Sequence, residues 1–220
     1  MRRPLPYVCI TALIVGLTFV LTIHDFLAIT QRVEANVLVV EGWVSNHTAI
    51  REAAEEFKKG QYKLLITVGG PIGDVEGSVG QPSAAILAAS KLQELGVDNC
   101  LIVALTAPTA VQHRTYTAAL TLRDWLRESE PQTKAVNIFT IGPHARKSLV
   151  LFSRALGPHI DVGVIAGTDD DYNLDYWWMS IQGTYVISRK LLGYLYAVTW
   201  PFPENSSPEH YASPRCALRQ

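Results

Sequence analysis

The chain has 220 residues, with 19 basic and 20 acidic side chains and a formal net charge of −1. Hydrophobic residues make up 48% of it, enough for one substantial core, which excludes an intrinsically disordered protein. The charges are interspersed, whereas a nucleic-acid-binding protein typically carries a basic patch or stripe. We therefore expect one folded domain that does not bind nucleic acid.

The first predicted element is a membrane-spanning helix. Residues 7–23 are seventeen residues without a charge, and the apolar pattern resumes after His24 and Asp25 and ends at residue 29. The stretch 5–29 is long enough, because a bilayer needs about 17–25 residues of helix. Arg2 and Arg3 precede it, and this charge bias predicts a cytoplasmic N-terminus, with the domain outside the inner or plasma membrane.

A cleaved signal peptide shares the basic start and the apolar stretch. We favour an uncleaved anchor, because the run exceeds the usual length of about 7–15 residues in a signal peptide and no A-x-A site follows it. The chain then divides into an anchor at 1–32, a domain at 33–201 and a polar tail at 202–220.

Within the domain, short apolar runs rich in β-branched residues alternate with helical patterns. This alternation predicts a Rossmann-like, doubly wound α/β fold with a mainly parallel five-stranded sheet. The predicted strands are 36–41, 63–68, 100–104, 135–141 and 161–166. The predicted helices are 46–59 and 83–95, capped by Asn46 or Ser45 and by Ser83, then 113–129, a helix from Pro143 to near Gly157, and 181–198. Leu122, Trp125 and Leu126 should face inward, as should Ile187, Leu191, Leu192 and Leu195.

The cysteine pattern contains no CxxC motif and no Cys/His metal-binding spacing. Cys9 lies in the anchor, Cys216 lies in the tail, and Cys100 begins a predicted strand, where a buried inert thiol is usual. Nothing in the spacing favours a disulfide between Cys100 and Cys216.

Ligands of doubly wound folds bind beyond the carboxyl ends of the strands. In this chain that edge comprises the loops 41–43, 69–73, 106–115, 142–147 and 167–171. Gly69 and Gly70 either form an anion-binding nest of backbone amides or make a tight turn.

A basic group lies at the start of the fourth predicted helix of the domain, where free amides and the helix dipole favour an anion. His144, Arg146 and Lys147 there suggest a phosphate or carboxylate ligand. The dipole would also keep His144 neutral near pH 7, ready to act as a base or a hydrogen-bond donor. A solvated cationic helix start is the alternative.

Glu41 ends an apolar strand, where an isolated carboxylate would be costly. It is either a ligand-binding or general-base residue or part of a salt bridge with Arg51 or Arg114.

An acidic run and an aromatic group precede the last helix. We interpret Asp169, Asp170 and Asp171 as a solvated turn, because consecutive carboxylates seldom converge on one metal ion. Core packing or docking on a membrane surface explains the aromatic group, which comprises Tyr172, Tyr176, Trp177 and Trp178.

Over residues 36–197 the order of motifs resembles the YdcF/SanA/ElyC-like family of bacterial domains. The matching pieces are VLVVEGW at 37–43, LLITVGG at 64–70, ELGV at 94–97, RTYTAA at 114–119 and GPHARKSLVLF at 142–152. Thr115 and His144 match the family pattern directly. The departures are Lys147 at a usual arginine, Pro143 at an aromatic residue, and Glu41-Gly42-Trp43 where many members have a glycine-rich turn.

This resemblance implies a tethered Rossmann-like domain linked to cell-envelope integrity and peptidoglycan precursor supply. One soluble relative binds S-adenosylmethionine, which implies a nucleotide-like ligand. Two functions stay open. The first is an envelope enzyme acting on an anionic, phosphate-bearing or lipid-linked substrate, with His144 and Glu41 as catalytic candidates and Gly42, Gly69, Gly70, Arg114, Thr115, Arg146 and Lys147 binding the ligand. The second is a non-catalytic binding or scaffold module.

Overall fold

A computed structural model describes residues 5–72, 83–110 and 112–202. Eleven helices and strands follow one another in the predicted order. The helices are α1 (Leu5–Leu27), α2 (His47–Lys59), α3 (Ala84–Glu94), α4 (Arg114–Ser129), α5 (Ala145–Leu156) and α6 (Ile181–Thr199). The strands are β1 (Val37–Glu41), β2 (Leu64–Gly69), β3 (Ile102–Thr106), β4 (Ala135–Ile141) and β5 (Asp161–Gly167).

The five strands form one parallel sheet in the order β3-β2-β1-β4-β5. This confirms the predicted Rossmann-like fold. β1 lies at the centre, with Val37 level with Leu64 of β2 and with Val136 of β4. The chain first builds the sheet outward from β1 through β2 to β3 and then returns to place β4 on the other side of β1. The topological switch point, where such folds bind ligands, is therefore between β1 and β4.

Helices cover both faces of the sheet because alternate residues of a strand point to opposite sides. Val37 and Val39 of β1 pack in one core with α4 and α5, whereas Leu38 and Val40 pack in the other core with α2 and α3. Burial on both faces explains why the strands are continuous apolar runs.

Side chains at the predicted caps fix two helix starts. Asn46 accepts a hydrogen bond from the Ala49 amide at 2.7 Å, and Ser83 accepts one from the Ile86 amide at 3.2 Å. Each bond satisfies a backbone N–H that has no partner inside the helix.

Two sequence predictions in this region are wrong. The third strand begins at Ile102, because Asp98 caps a short 3-10 turn at Asn99–Leu101 by accepting from the Cys100 amide. Cys100 is consequently exposed rather than buried, and it is disulfide-bonded rather than an inert thiol. The tail that contains Cys216 lies outside the described residues from position 203 onward.

The residues predicted to face inward are buried in α4 but mostly not in α6. Leu122, Trp125 and Leu126 of α4 are buried as predicted. Of the four residues predicted to face inward in α6, only Ile187 is buried, whereas Leu192 is 67% exposed and Leu195 is 48% exposed. The helix packs through a narrower stripe than the periodicity predicts.

α1 is long and apolar enough to cross a membrane over Ile10–Leu27, and only 11% of that window is buried. Such low burial distinguishes it from the core helix of a soluble protein. Arg2 and Arg3, which set the predicted orientation, lie outside the described residues.

The domain end of α1 meets the carboxyl edge of the sheet. Ile23 and Leu27 are buried there, and the helix packs against α5, α6 and the turn that joins β4 to α5. The chain then runs back along β5, where Gln31 pairs with Val164 in an antiparallel bridge, before β1 begins.

Candidate functional site

A cavity of about 1010 Å³ opens at the carboxyl edge of the sheet, beside the switch point between β1 and β4. Its size is near the upper end of ordinary small-molecule sites, which occupy roughly 300–1,000 Å³. Eight of the nine residues singled out from the sequence line this one cavity: Glu41, Gly42, Gly69, Gly70, Arg114, Thr115, His144 and Lys147. Gly73, the last residue of the predicted loop 69–73, lies outside the described residues.

The ninth residue, Arg146, does not line the cavity. Its Nε donates a hydrogen bond to the carbonyl oxygen of Phe26 in α1, and its guanidinium carbon lies 3.9 Å from the centroid of the Phe26 ring. Neighbouring residues of a helix point about 100° apart, and here Lys147 lines the cavity while Arg146 points to α1. Arg146 fixes the anchor to the domain instead.

The glycines at this edge permit close packing. A Cβ on Gly42 would lie 2.7 Å from backbone atoms of Ala84 and Ala85, and a Cβ on Gly69 would lie 3.2 Å from Cβ of Ala84. Neither Gly69 nor Gly70 has a positive φ, which an anion-binding nest would require. The sequence reading of a nest is therefore not supported, and the glycines bring the start of α3 against the ends of β1 and β2.

Glu41 is buried at the floor of the cavity, with 1% of its surface exposed. Ser148 Oγ donates a 2.6 Å hydrogen bond to Glu41 Oε2, and His144 Nε2 lies 3.9 Å from the same oxygen. The expected partners Arg51 and Arg114 do not provide this bond. One feature of the sequence could have identified Ser148 as a site residue. Ser148 follows His144 by four positions, and residues four apart lie on the same face of a helix.

Besides Glu41, three further side chains lie around the ring of His144. Its Nε2 lies 3.3 Å from Thr115 Oγ1, its Nδ1 lies 3.3 Å from Lys190 Nζ, and its ring meets Trp43 edge-on at 4.6 Å between centroids. A lysine ammonium can only donate, so Nδ1 must accept and the proton of the neutral imidazole must be on Nε2. His144 thus presents an N–H to Thr115 and Glu41.

The protonation states follow from burial and from the crowding of cations. Burial first, and then Lys190, Lys147 and Arg189, hold the pKa of His144 well below its usual value. Burial is the main cause that lowers the pKa of Lys190 to about 8, and Lys147 adds to the effect. Burial also lowers the pKa of Lys147, although Glu41 opposes the shift. His144 is therefore neutral as expected, but burial and cations account for it.

The charge of the cavity wall is strongly positive. Among the described residues that line the cavity, five carry a cationic side chain and Glu41 alone carries a carboxylate; the cations are Lys91, Arg114, Lys147, Arg189 and Lys190. The starts of α3, α4 and α5 reach the same cavity, and each contributes the positive end of a helix dipole. Both features favour an anionic ligand.

Sequence reasoning missed Lys190 and Arg189, which come from α6. The rule that ligands bind beyond the carboxyl ends of the strands points to loops. The helix α6 instead crosses that edge of the sheet after the last strand and directs both side chains toward β1. No local pattern in α6 distinguishes these two residues from other solvated cations.

A second cavity of about 300 Å³ adjoins the first, and the two share four lining residues: Trp43, Ser45, Arg189 and Lys190. Asp169 lines it and is buried, which corrects the reading of a fully solvated acidic turn, although Asp170 and Asp171 are exposed. Burial is the main cause that raises the pKa of Asp169. Within ranges 5–72, 83–110 and 112–202, no group of three or more His, Cys, Asp or Glu side chains could hold a metal ion.

No protein-family model matches this sequence, and no curated protein is significantly similar to it.

Proposed function

We propose that the chain is a membrane-anchored protein whose domain binds an anionic, phosphate-bearing or nucleotide-like ligand in the large cavity. The observation that carries this proposal is the charge of the wall beside the switch point, where the part of the chain that the structure describes contributes five cations and one carboxylate. Desolvated cations have a free-energy cost that an anion would offset, and burial is the main cause that lowers the pKa of both Lys147 and Lys190.

As an enzyme, the domain would use the proton on His144 Nε2. A neutral imidazole that donates from Nε2 can stabilise or protonate a leaving oxygen, while Lys147 and Lys190 hold the anion. As the ring gives its Nε2 proton to the leaving oxygen, it would take one at Nδ1 from the Lys190 ammonium, 3.3 Å away, so that the imidazole stays neutral and the lysine becomes an amine. Glu41, whose carboxylate oxygen lies 3.9 Å from Nε2, would favour the tautomer that carries its proton there.

A binding module without turnover is the second candidate. It is favoured by the burial of both acid–base groups, because Glu41 is 1% exposed and His144 is 6% exposed. In this reading the two residues shape the wall and position Thr115 and Lys190.

We further propose that the domain lies in the cell envelope, outside the cytoplasmic membrane, and acts in envelope biogenesis or integrity as a YdcF/SanA/ElyC-like protein. The apolar helix Ile10–Leu27 supports an anchor. The disulfide bond of the exposed Cys100 supports an oxidising compartment, because cytosolic thiols are kept reduced. An alkaline phosphatase fusion after residue 201 tests this orientation and should be active.

Binding can be tested on the full chain in detergent with adenosine diphosphate as the probe. Lys147→Met should weaken binding and reduce its sensitivity to salt, because one cation of the wall is removed. Lys134→Met is the matched control, since Lys134 is exposed beside the amino end of β4 and the charge change is the same. Equal affinities in the native chain and both variants would contradict the proposal.

Turnover separates the two candidates. If the native chain releases inorganic phosphate from bound adenosine diphosphate and His144→Gln does not, the enzyme is favoured. Binding that persists with no release in the native chain would favour the binding module.

A further inference from the structure

The turn before α6 and the first turns of that helix expose large apolar side chains. Met179 is 75% exposed, Ile181 is 93% exposed, and Trp178 and Tyr185 are also open to solvent. We call these four residues the apolar rim. Single exposed hydrophobic residues are ordinary, but a contiguous group marks a surface that something covers.

The apolar rim adjoins the end of the anchor. Ile23 and Leu27 of α1 form one buried cluster with Tyr172, Trp177 and Ile187. Trp177 directly precedes the rim, and Ile187 follows it in α6 by two residues. The rim is therefore held beside α1 by packing.

α1 continues the apolar surface away from the domain. Its side chains from Ile10 to Leu21 are almost all exposed, including Leu13 at 72% and Leu17 at 59%. A bilayer core about 30 Å thick takes roughly 20 residues of helix, so the hydrocarbon would end near the point where α1 enters the buried cluster. The rim would then stand at the level of the lipid headgroups.

We propose that the apolar rim docks on the surface of the bilayer in which α1 is anchored. Tryptophan and tyrosine are enriched at membrane–water interfaces, and aliphatic neighbours can be buried about 5–10 Å into the headgroup boundary. Two attachments, α1 and the rim, fix the tilt of the domain. The carboxyl edge, where α1 joins the domain, then faces the membrane together with the large cavity.

Depth can be measured on the full chain in nanodiscs made of phosphatidylcholine and phosphatidylglycerol. An environment-sensitive fluorophore is attached to Ile181→Cys and, as a control, to Gln132→Cys, which is exposed in the turn before β4. The labelled native chain supplies the background from its own thiols. Lipids that carry a nitroxide near the headgroup should quench the label at position 181 and leave the label at 132 bright.

A double substitution in the rim distinguishes docking of the rim on the bilayer from attachment through α1 alone. The double change Trp178→Ser with Met179→Ser should abolish the quenching and the blue shift of the label at position 181. The control Leu192→Ser, at an exposed leucine of α6 outside the rim, should leave both signals unchanged. Equal quenching at 181 and 132 overturns the proposal, as does quenching that survives the double change. A label that is blue-shifted but not quenched also overturns it, because a second copy of the chain would then cover the rim.

Discussion

Removing the hydroxyl of Ser148 should destabilise the domain, although this side chain does not line the cavity. Ser148 is fully buried, and its Oγ donates a 2.6 Å hydrogen bond to the carboxylate of Glu41, which is itself buried. Ser148→Ala leaves that oxygen without its donor while every apolar contact of the helix is kept.

The expected cost follows from the charge of the acceptor. A hydrogen bond to a charged group contributes about 1.5–3 kcal/mol, and leaving a buried partner unsatisfied costs a similar amount. For a chain of about 150–250 residues, 1 kcal/mol shifts the Tm by about 2–4 °C, so Ser148→Ala should lower the Tm by about 3–12 °C.

Thermal unfolding of the full chain in detergent measures the effect, with Ser153→Ala as the matched control on the exposed side of the same helix. In a Glu41→Gln background the acceptor is neutral, and the same change should cost only about 0.5–1.5 kcal/mol. Equal Tm values for Ser148→Ala and Ser153→Ala would refute the reasoning.

Three further outcomes are expected. Because the pKa of Lys190 is lowered to about 8, its ammonium loses a proton as the pH rises from 7 to 9. The affinity for adenosine diphosphate should therefore fall between pH 7 and pH 9. The charge of the ligand is constant over that range, because its last phosphate ionises near pH 6. Calorimetry should show the fall in the native chain and a nearly constant affinity in Lys190→Met. Leu126→Ala should lower the free energy of unfolding in urea by about 2–5 kcal/mol, since Leu126 is buried, whereas Leu192→Ala on the exposed face should be nearly neutral. Thiol alkylation of the denatured chain without reductant should modify one of the three cysteines, and Cys100→Ser should raise that number to two; three reactive thiols in the native chain would contradict the disulfide.

The fold could be predicted because its determinants are local in the sequence. Each strand is an apolar run of the length and composition of a doubly covered strand, and Asn46 and Ser83 mark helix starts through bonds to residues three positions away. The error at Cys100 has the same origin. The cap at Asp98 holds Cys100 and Leu101 in a 3-10 turn, although both residues were predicted to be part of the strand. A prediction from apolar content alone does not detect such a cap.

The sequence by itself also determined which strand ends carry the site, since Glu41, Thr115 and His144 lie at one edge whenever the sheet is parallel. Only the tertiary structure decided how these groups are charged and paired. Lys190 reaches His144 from a helix 46 residues further along the chain, and Ser148 reaches Glu41 across 107 residues. Arg146 lies beside Lys147 in sequence but turns to Phe26. Hydrogen bonds and desolvation act over a few ångströms in space, and distances along the chain do not encode them until the helices have packed.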